Sequence, residues 1–347
     1  MDKNRAIDFI EHSFLSTLLK EEDITDISYN GKDIFYVSNT RGRMKSSIII
    51  EHQIAKDFIR QLANFAERQF SFTCPILDIS IGKYRINSMH QSVARINDDG
   101  VITFSIRIAS SKCRIEENGS FFTAELAHLL KILIDNHQSL VIGGVTSSGK
   151  TELQKYLLSK MKENERVVVI DNVLELDASR NDKLDLTCWQ VDSNDERVDA
   201  SMLIRNALRN NPDWLIVAES RGKEMVDVLN SAMTGLPIIT TLHSLDCESM
   251  PYRMGRMMMK SEQKIDYQEA LKDIYYHFHF YIYLSKKVKK RKVERFISTI
   301  NYVDENGSVY KLYERKGAEH VYYHNLPSFI DIDENEKLVE VFRKENL

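Results

Sequence analysis

Nine residues near the middle of the chain have the types and the spacing of a phosphate-binding loop. Residues 143–151 read Gly-Gly-Val-Thr-Ser-Ser-Gly-Lys-Thr, and the last eight fit the pattern G-x-x-x-x-G-K-[ST] at every fixed position. Gly144 and Gly149 let the backbone curl so that successive N–H groups face an anion. Lys150 can reach the β- and γ-phosphates of a nucleotide, and the Thr151 hydroxyl can bind Mg²⁺. The residues predicted to bind ATP are Gly144, Val145, Thr146, Ser147, Ser148, Gly149, Lys150 and Thr151.

The residues on both sides of this loop predict the strand and the helix that such a loop requires. Residues 139–143 read as a short buried strand, and residues 152–160 read as a helix with Leu153, Leu157 and Leu158 on one face. The alternative is an accidental glycine-rich turn, which would need neither element. Strand, loop, helix and Lys-Thr pair together therefore favour a nucleotide site.

Three further apolar segments, predicted as strands, each end in a side chain that can act on a bound nucleotide: Asp171, Glu219 and His243. Glu219 follows an apolar run in the form of a Walker B strand, and such a carboxylate binds Mg²⁺ through water or polarises the attacking water. A lone acid after a strand is more often a solvated residue or a helix cap, and a lone histidine is more often structural. The order of these segments behind a phosphate loop favours the catalytic interpretation.

The spacing of the apolar segments predicts an α/β fold for the second part of the chain. Strands alternate with helices, which implies a mainly parallel sheet covered on both faces. The predicted strands are 140–143, 166–171, 214–219 and 237–243, and the predicted helices are 151–162, 198–210 and 224–234. Because ligands of such sheets bind at the carboxyl ends of the strands, the four chemically active segments are expected to converge on one site.

The first part of the chain, residues 1–108, predicts a small α+β domain. Two strand-like segments, 24–29 and 34–37, are joined by Asn30-Gly31, which is a strong turn signal. The polar, aperiodic residues 109–120 are interpreted as a linker. Residues 121–347 then form the nucleotide-binding domain with a C-terminal extension. The other elements predicted are helices at 52–68 and 123–136 and strands at 76–81, 84–86 and 102–108.

The composition of the 347 residues is that of an ordinary globular protein, with 43% hydrophobic and 28% charged residues. A net charge of −4 gives no overall attraction to nucleic acid or anionic lipid, so such a contact would need a local patch. The first residues lack the apolar segment of a signal peptide, and the apolar stretch 274–285 is too short to span a bilayer. The four cysteines are far apart in sequence. Reduced thiols in a cytoplasmic protein are therefore expected.

Taken together, the motifs resemble those of the traffic ATPases of type II and type IV secretion systems, which include conjugation and pilus-assembly motors. The family's Asp box is matched by residues 170–176, its Walker B segment by residues 208–222, and its His box by residues 240–243. The N-terminal half is similar at 24–31, 75–87 and 104–107. The resemblance covers most of residues 20–300, and the short N-terminal domain without a tetracysteine module favours the conjugation-type branch.

The resemblance implies a RecA-like P-loop core that hydrolyses ATP with Mg²⁺ in a ring, usually a hexamer. It also implies docking on membrane-embedded secretion or pilus machinery at the inner face of the cytoplasmic membrane, without sequence-specific nucleic-acid binding. Nucleotide would lie between the two domains, where Arg107 and, as a second candidate, Arg85 would reach the phosphates. Arg209 and Arg221 are candidates for interface or sensor roles. The alternative for each arginine is a surface ion pair.

Departures from the family pattern decide which residue is the candidate base. The chain has Asp171-Asn172 where Glu-Asp is usual, and Ala218 where glycine usually precedes the Walker B glutamate. Because an amide cannot take a proton, Glu175 becomes the candidate for activating water. Ser148 and Glu152 also replace the more common Gly and Thr. The predicted catalytic residues are Lys150, Glu175, Glu219 and His243, with Thr151 and Glu219 as Mg²⁺ ligands.

Two other functions stay open from the sequence. A helicase-like nucleic-acid motor would use the same core, and a non-hydrolysing nucleotide-binding scaffold is motivated by Asn172 and Ala218. The basic residues 286–292 could contact anionic lipid or nucleic acid. Their position between two strand-like segments favours a solvated hairpin turn instead.

Overall fold

A computed structural model describes residues 3–110, 112–115, 119–173, 175–177, 183–191, 198–290, 292–332 and 337–343. Its contacts divide the chain into two compact units. The first unit comprises residues 1–110 and 288–293, and the second comprises residues 111–287 and 294–347. Residues 111 and 116–118 of the predicted linker, and Arg291 of the basic segment, lie outside the described residues.

The first unit is built on an antiparallel sheet. Its helices are α1 (Lys3–Glu11), α2 (Ser16–Leu19) and α3 (His52–Phe65). Its strands are β1 (Ile24–Tyr29), β2 (Ile34–Ser38), β3 (Gly42–Lys45), β4 (Ile76–Ile81), β5 (Tyr84–Met89), β6 (Arg95–Ile96), β7 (Asp99–Gly100) and β8 (Thr103–Ile108). Among the described residues, six strands pair in the order β3-β2-β1-β8-β5-β4, and β6 pairs with β7.

Alternation along these strands places one face of the sheet in the core of the first unit. Apolar side chains such as Ile27, Ile86 and Ile106 are fully buried and belong to the same cluster as Phe58 of α3. The predicted turn between β1 and β2 is confirmed: Asn30 Oδ1 accepts two backbone N–H groups of the turn, 2.7 and 3.0 Å away. The opposite face of the sheet carries polar side chains.

The second unit contains the large sheet. Its helices are α4 (Ala124–Asp135), α5 (Lys150–Leu158), α6 (Ala200–Ala207), α7 (Met225–Ala232), α8 (Ser249–Met258) and α9 (Tyr267–His277). Its strands are β9 (Leu140–Gly144), β10 (Arg166–Asp171), β11 (Asp185–Gln190), β12 (Trp214–Val217), β13 (Ile238–Leu242), β14 (Phe280–Lys289), β15 (Lys292–Val303), β16 (Val309–Lys316) and β17 (Glu319–Tyr322). The ends of β14 and β15, residues 288–293, are grouped with the first unit.

Nine strands of the described chain pair in the order β11-β10-β12-β13-β9-β14-β15-β16-β17. The pairings from β11 to β14 are parallel, and β15, β16 and β17 pair antiparallel. Every residue of β9, β12 and β13 is buried, because hydrophobic clusters cover both faces of the sheet. The predicted α/β fold with a mainly parallel sheet is therefore confirmed for the second unit.

Several predicted elements end earlier than expected. The strands predicted to reach Glu219 and His243 end at Val217 and Leu242, because the residues that follow make loop hydrogen bonds. The helix predicted to reach residue 162 ends at Leu158, where the hydroxyl of Ser159 donates to the carbonyl of Tyr156. The described residues of the basic segment lie at the facing ends of β14 and β15 and at Lys290 between them.

Of the helices in the described part of the chain, none combines the length and the apolar character that a bilayer crossing requires.

Candidate nucleotide-binding site

The phosphate loop joins the buried strand β9 to helix α5, and its backbone has left-handed residues that produce the curl. Ser147 has φ +61° and Gly149 has φ +102°. A β-carbon on Gly144 would lie 2.7 Å from the carbonyl oxygen of Leu284, so only glycine fits there. No side chain of the described residues caps α5 at its N-cap residue Gly149. The first N–H groups of the helix are therefore suited to an anion.

Lys150 bends back over this loop. Its Nζ donates to the carbonyl oxygens of Gly144 and Val145, at 3.1 and 3.3 Å, and lies 3.4 Å from Nδ1 of His243. The side chain is 9% exposed. The structure therefore places the cation at the carboxyl ends of β9 and β13, although the two residues are 93 positions apart.

Glu219 lies beside His243 and Arg221. Its Oε2 accepts from Nη2 of Arg221 at 2.7 Å. Its Oε1 is 3.1 Å from Nε2 of His243, a contact without hydrogen-bond geometry, so this buried oxygen has no hydrogen-bond partner among the described residues. Burial acts to raise the pKa of Glu219, but Arg221, His243 and Lys150 outweigh it and hold that pKa below its usual value. The carboxylate is ionised at neutral pH.

His243 is neutral in this environment. Burial, followed by the positive charge of Lys150, lowers the pKa of His243 below its ordinary value, against the smaller opposite effect of Glu219. Nδ1 of the ring lies 3.4 Å from Nζ of Lys150 and 3.3 Å from the carbonyl oxygen of Gly144, while Nε2 faces Glu219. The imidazole thus connects the cation of the phosphate loop to the Walker B carboxylate.

The two threonines before His243 fix the loop that carries Glu219. The hydroxyl of Thr241 donates to the carbonyl of Ala218 at 2.7 Å, and the N–H of Ser220 donates to the carbonyl of Thr241 at 2.8 Å. The hydroxyls of Ser220 and Thr240 lie 2.8 Å apart and form a buried hydrogen bond. The two threonines therefore have a structural role: they fix the end of β12 so that the carboxylate of Glu219 faces the site.

Asp171 stabilises the loop that leads to Glu175. It is 8% exposed, and its carboxylate accepts the backbone N–H groups of Val173 at 3.2 Å and Glu175 at 2.9 Å. Burial raises the pKa of Asp171 above its usual value, and these N–H groups oppose the shift only in part. Because both carboxylate oxygens are engaged by the loop, Asp171 is poorly placed to take a proton from water. Glu175 is half-buried.

We expect Glu175→Gln to slow ATP hydrolysis more than Asp171→Asn does, with nucleotide binding retained in both variants. The amide at 171 would face backbone N–H groups that need an acceptor, so this variant should lose about 1–3 kcal/mol of stability. Single-turnover phosphate release and thermal unfolding, measured side by side, check both expectations. The opposite ranking of rates, in an Asp171→Asn protein of unchanged stability, would move the base to Asp171.

The predicted phosphate-binding arginines lie in the first unit, on the polar face of its sheet. Arg85 and Arg107 are directly opposite one another in the β5–β8 pairing, and Asp26 faces Arg107 in the β1–β8 pairing. Arg85 Nη2 is 3.4 Å from Asp78 Oδ2, whereas the Arg107 residue is exposed. Arg209 is exposed in the second unit, and Arg221 pairs with Glu219 as described above.

Contacts to the phosphate loop and its helix include some that the sequence did not indicate. Arg295 of β15 donates from Nε to the carbonyl of Ser147 at 2.8 Å, across 148 positions of sequence. Glu152 accepts from the fully buried Nζ of Lys155 at 2.9 Å and from the N–H of Arg114 at 2.7 Å. Arg295, Lys155 and Arg114 belong to none of the motifs recognised in the sequence, so no sequence signal identified these contacts.

The residues at the site fit a bound Mg²⁺. In phosphate-loop sites the ion is held by one hydroxyl, by nucleotide oxygens and by water rather than by a cage of protein ligands. Correspondingly, no group of three His, Cys, Asp or Glu side chains in the described residues is placed to hold a metal. The half-buried Thr151 would supply the hydroxyl, and Glu219, whose Oε1 has no hydrogen-bond partner among the described residues, would supply an acceptor for metal-bound water.

Comparison with known proteins identifies relatives of most of the chain. The family model described as "Type II/IV secretion system protein" matches residues 88–322. An uncharacterized protein of Bacillus anthracis is 30% identical over 307 residues, which are 84% of this chain and 67% of that protein. The type IV secretion system protein VirB11 of Brucella suis is 30% identical over 138 residues, which are 39% of this chain and 38% of its own length.

A solved structure shares the fold. The ATPase DotB of Yersinia pseudotuberculosis superimposes with a TM-score of 0.62 at 15% sequence identity, over 85% of this chain and 79% of the DotB chain. At that identity the likeness establishes the common architecture.

Proposed function

The chain belongs to the type II/IV secretion system protein family, and from this premise we propose that it is an ATP-hydrolysing ring motor for type IV secretion, conjugative transfer or pilus-type assembly. The observation that carries the proposal is the meeting of Lys150, His243 and Glu219 within hydrogen-bonding or ion-pair distance, beside a helix N-terminus without a side-chain cap. The large parallel sheet fits a RecA-like P-loop core. DotB and VirB11 are described as an ATPase and a type IV secretion system protein, which supports the same function.

In the proposed reaction, the chain's own residues bind the triphosphate and orient the attacking water. Lys150 leaves the carbonyl oxygens of Gly144 and Val145 and contacts the β- and γ-phosphates together with the N–H groups of α5. Glu175 takes the proton of the attacking water, and Glu219 polarises water at the site while the neutral His243 contacts the γ-phosphate. The Thr151 hydroxyl and, through water, Glu219 would hold Mg²⁺, which when bound would neutralise charge on the phosphates.

We propose that the motor is a homo-oligomer, a hexameric ring that docks on membrane-embedded machinery at the cytoplasmic face of the membrane. ATP hydrolysis would then be coupled to conformational change in the assembled ring. Arg107, which is exposed on the polar face of the first unit's sheet, is the proposed second contact for the phosphates. Nucleotide binding should consequently favour the assembled state.

We expect Arg107→Ala to weaken ATP binding and to reduce the nucleotide-dependent gain in ring formation, while the protein stays folded, because an exposed arginine contributes little core packing. Analytical ultracentrifugation with a slowly hydrolysed ATP analogue measures the assembly. Arg43→Ala is the matched control, because Arg43 lies in the same cross-strand row at the edge strand β3. A strictly monomeric wild-type protein at tens of micromolar, with and without nucleotide, would refute the ring.

Phosphate release by the purified chain separates this function from its two alternatives. Basal hydrolysis that does not respond to nucleic acid supports the secretion motor. Strong stimulation by single-stranded DNA would favour a helicase-like motor. Nucleotide binding without phosphate release, even with membrane partners present, would favour the scaffold that Asn172 and Ala218 motivate.

A further inference from the structure

Arg295 reaches the phosphate loop from strand β15, outside all four nucleotide motifs. Its Nε donates to the carbonyl oxygen of Ser147 at 2.8 Å, and its Cδ would lie 3.7 Å from a β-carbon on Gly149. The strand is held firmly at this point: the N–H of Ile297 donates to the carbonyl of Phe121 at 2.9 Å, and Phe296 is buried. A charged donor on a fixed strand therefore contacts the outer side of the loop.

The residue that Arg295 contacts has an unfavourable backbone conformation. Ser147 has φ +61°, a backbone conformation that residues other than glycine adopt only at a cost in free energy. A hydrogen bond from a guanidinium is stronger than one between neutral groups, so it can offset such a cost. The contact at Ser147 thus stabilises the loop where its conformation is least favourable.

Fixing this carbonyl also fixes the other side of the same peptide. Because the peptide bond is planar and trans, the N–H of Ser148 points away from the carbonyl of Ser147. That N–H donates to the carbonyl oxygen of Val145 at 3.2 Å, and the same oxygen accepts from Nζ of Lys150 at 3.3 Å. A continuous set of contacts therefore connects Arg295, through one peptide unit, to the loop oxygen that Lys150 uses.

Phe121 supports the loop at Gly149 by packing rather than by a hydrogen bond. A β-carbon on Gly149 would lie 2.9 Å from its ring, which shows how closely the aromatic side chain packs against the loop. Phe121 and Arg295 thus contact successive parts of the loop's outer side, leaving its inner side to the anion.

We propose that Arg295 is a positioning residue for the nucleotide, which holds the phosphate loop in its anion-binding conformation before ATP arrives. The inference rests on the proposed function, since it concerns the same site. Without the guanidinium the loop samples other conformations, and ordering it again on binding lowers the affinity. The effect is on binding more than on the chemical step, because Arg295 acts through the backbone and the catalytic side chains stay in place.

The test compares Arg295→Gln, Arg295→Lys and wild-type full-length protein by calorimetric titration with ADP and Mg²⁺. Arg295→Gln should bind ADP about tenfold more weakly, with KM for ATP raised in parallel and kcat changed less than about threefold. Arg295→Lys keeps a donor without the fork geometry and should recover part of the affinity. Addition of ethylguanidinium to an Arg295→Ala protein should restore binding, a rescue that general loss of structure would not show.

Arg315→Gln is the matched control, because Arg315 lies on the adjacent strand β16, packs on Phe296 at 4.0 Å from its ring centroid, and donates to Glu294 and to the carbonyl of Gly317. It should keep ADP affinity within twofold. The proposal is overturned if Arg295→Gln also stays within twofold, or if its loss of affinity is matched by Arg315→Gln with an equal drop in the melting temperature without nucleotide. If wild-type protein binds no nucleotide, the proposed function itself fails, which is a separate result.

Discussion

Lys150→Ala is expected to abolish ATP hydrolysis and to remove most of the nucleotide affinity. The ammonium group is buried in the loop, and its contacts include the carbonyl oxygens of Gly144 and Val145 and Nδ1 of His243. Because these groups attract a cation, they hold Lys150 in the place where phosphate oxygens of a bound nucleotide would replace them. Removal of one preorganised charge that contacts the transferred group lowers turnover at least about a hundredfold.

Lys150→Ala should impair nucleotide binding and hydrolysis but not the stability of the fold. The side chain supports the loop through carbonyl contacts and not through the hydrophobic clusters, so the melting temperature without nucleotide should change little. Phosphate release and fluorescent-nucleotide titration measure the two effects, with Lys162→Ala as a control. Lys162 is an exposed lysine beyond the end of α5 that contacts the carbonyl of Asp135. Phosphate release at the wild-type rate in Lys150→Ala would show that the assignment of the nucleotide site to the phosphate loop is wrong.

Much of the second unit could be predicted because its central strands are buried on both faces. β9 and β13 are short apolar runs bounded by turn residues, and such runs between amphipathic helices have few other interpretations. The motif order then predicted which strand ends would meet. His243 and Lys150 lie 3.4 Å apart for this reason, since parallel strands bring their carboxyl ends to one edge.

Three strands of the second unit that escaped prediction, β11, β16 and β17, have mixed surroundings. β11 is an edge strand whose residues are mostly half-buried, so it lacks both the continuous apolar run and the strict alternation that predict a strand. β16 and β17 form an antiparallel extension with charged and aromatic residues intermingled. Their burial depends on partners brought close by the fold, which local sequence does not specify.

The supporting contacts of the site could not be predicted for a related reason. Arg295 reaches Ser147 only because β14 and β15 extend the sheet beside β9. No local pattern distinguishes Arg295 from the other basic residues of these two strands. Lys155 appears in sequence as an ordinary helix lysine, yet its side chain is fully buried against Glu152. Contacts of this kind depend on register between distant elements, whereas motifs report only spacing along the chain.

Glu219→Gln is expected to retain ATP binding but to lose turnover. The substitution keeps the size of the side chain and removes its charge, and the charge is present at neutral pH because Arg221, His243 and Lys150 together hold the pKa of Glu219 below its usual value against the effect of burial. Phosphate affinity is expected to come mainly from Lys150 and the N–H groups of α5, which the change leaves in place. Removal of the group that organises Mg²⁺-bound water or polarises the attacking water should raise the barrier by about 3 kcal/mol, a hundredfold or more in rate.

The contacts of Glu219 make this expectation specific to its charge rather than to its packing. One oxygen accepts from Arg221, a bond that the amide oxygen of glutamine can still accept, while the other oxygen lacks a hydrogen-bond partner among the described residues and faces Nε2 of His243. The unpartnered oxygen is therefore the one whose loss affects turnover. Glu163→Gln is the control, because Glu163 makes an exposed ion pair with Lys183. Single-turnover rates within threefold of wild type in Glu219→Gln would show that the carboxylate is not needed for turnover. The assignment of Glu219 as the Walker B residue would then be wrong.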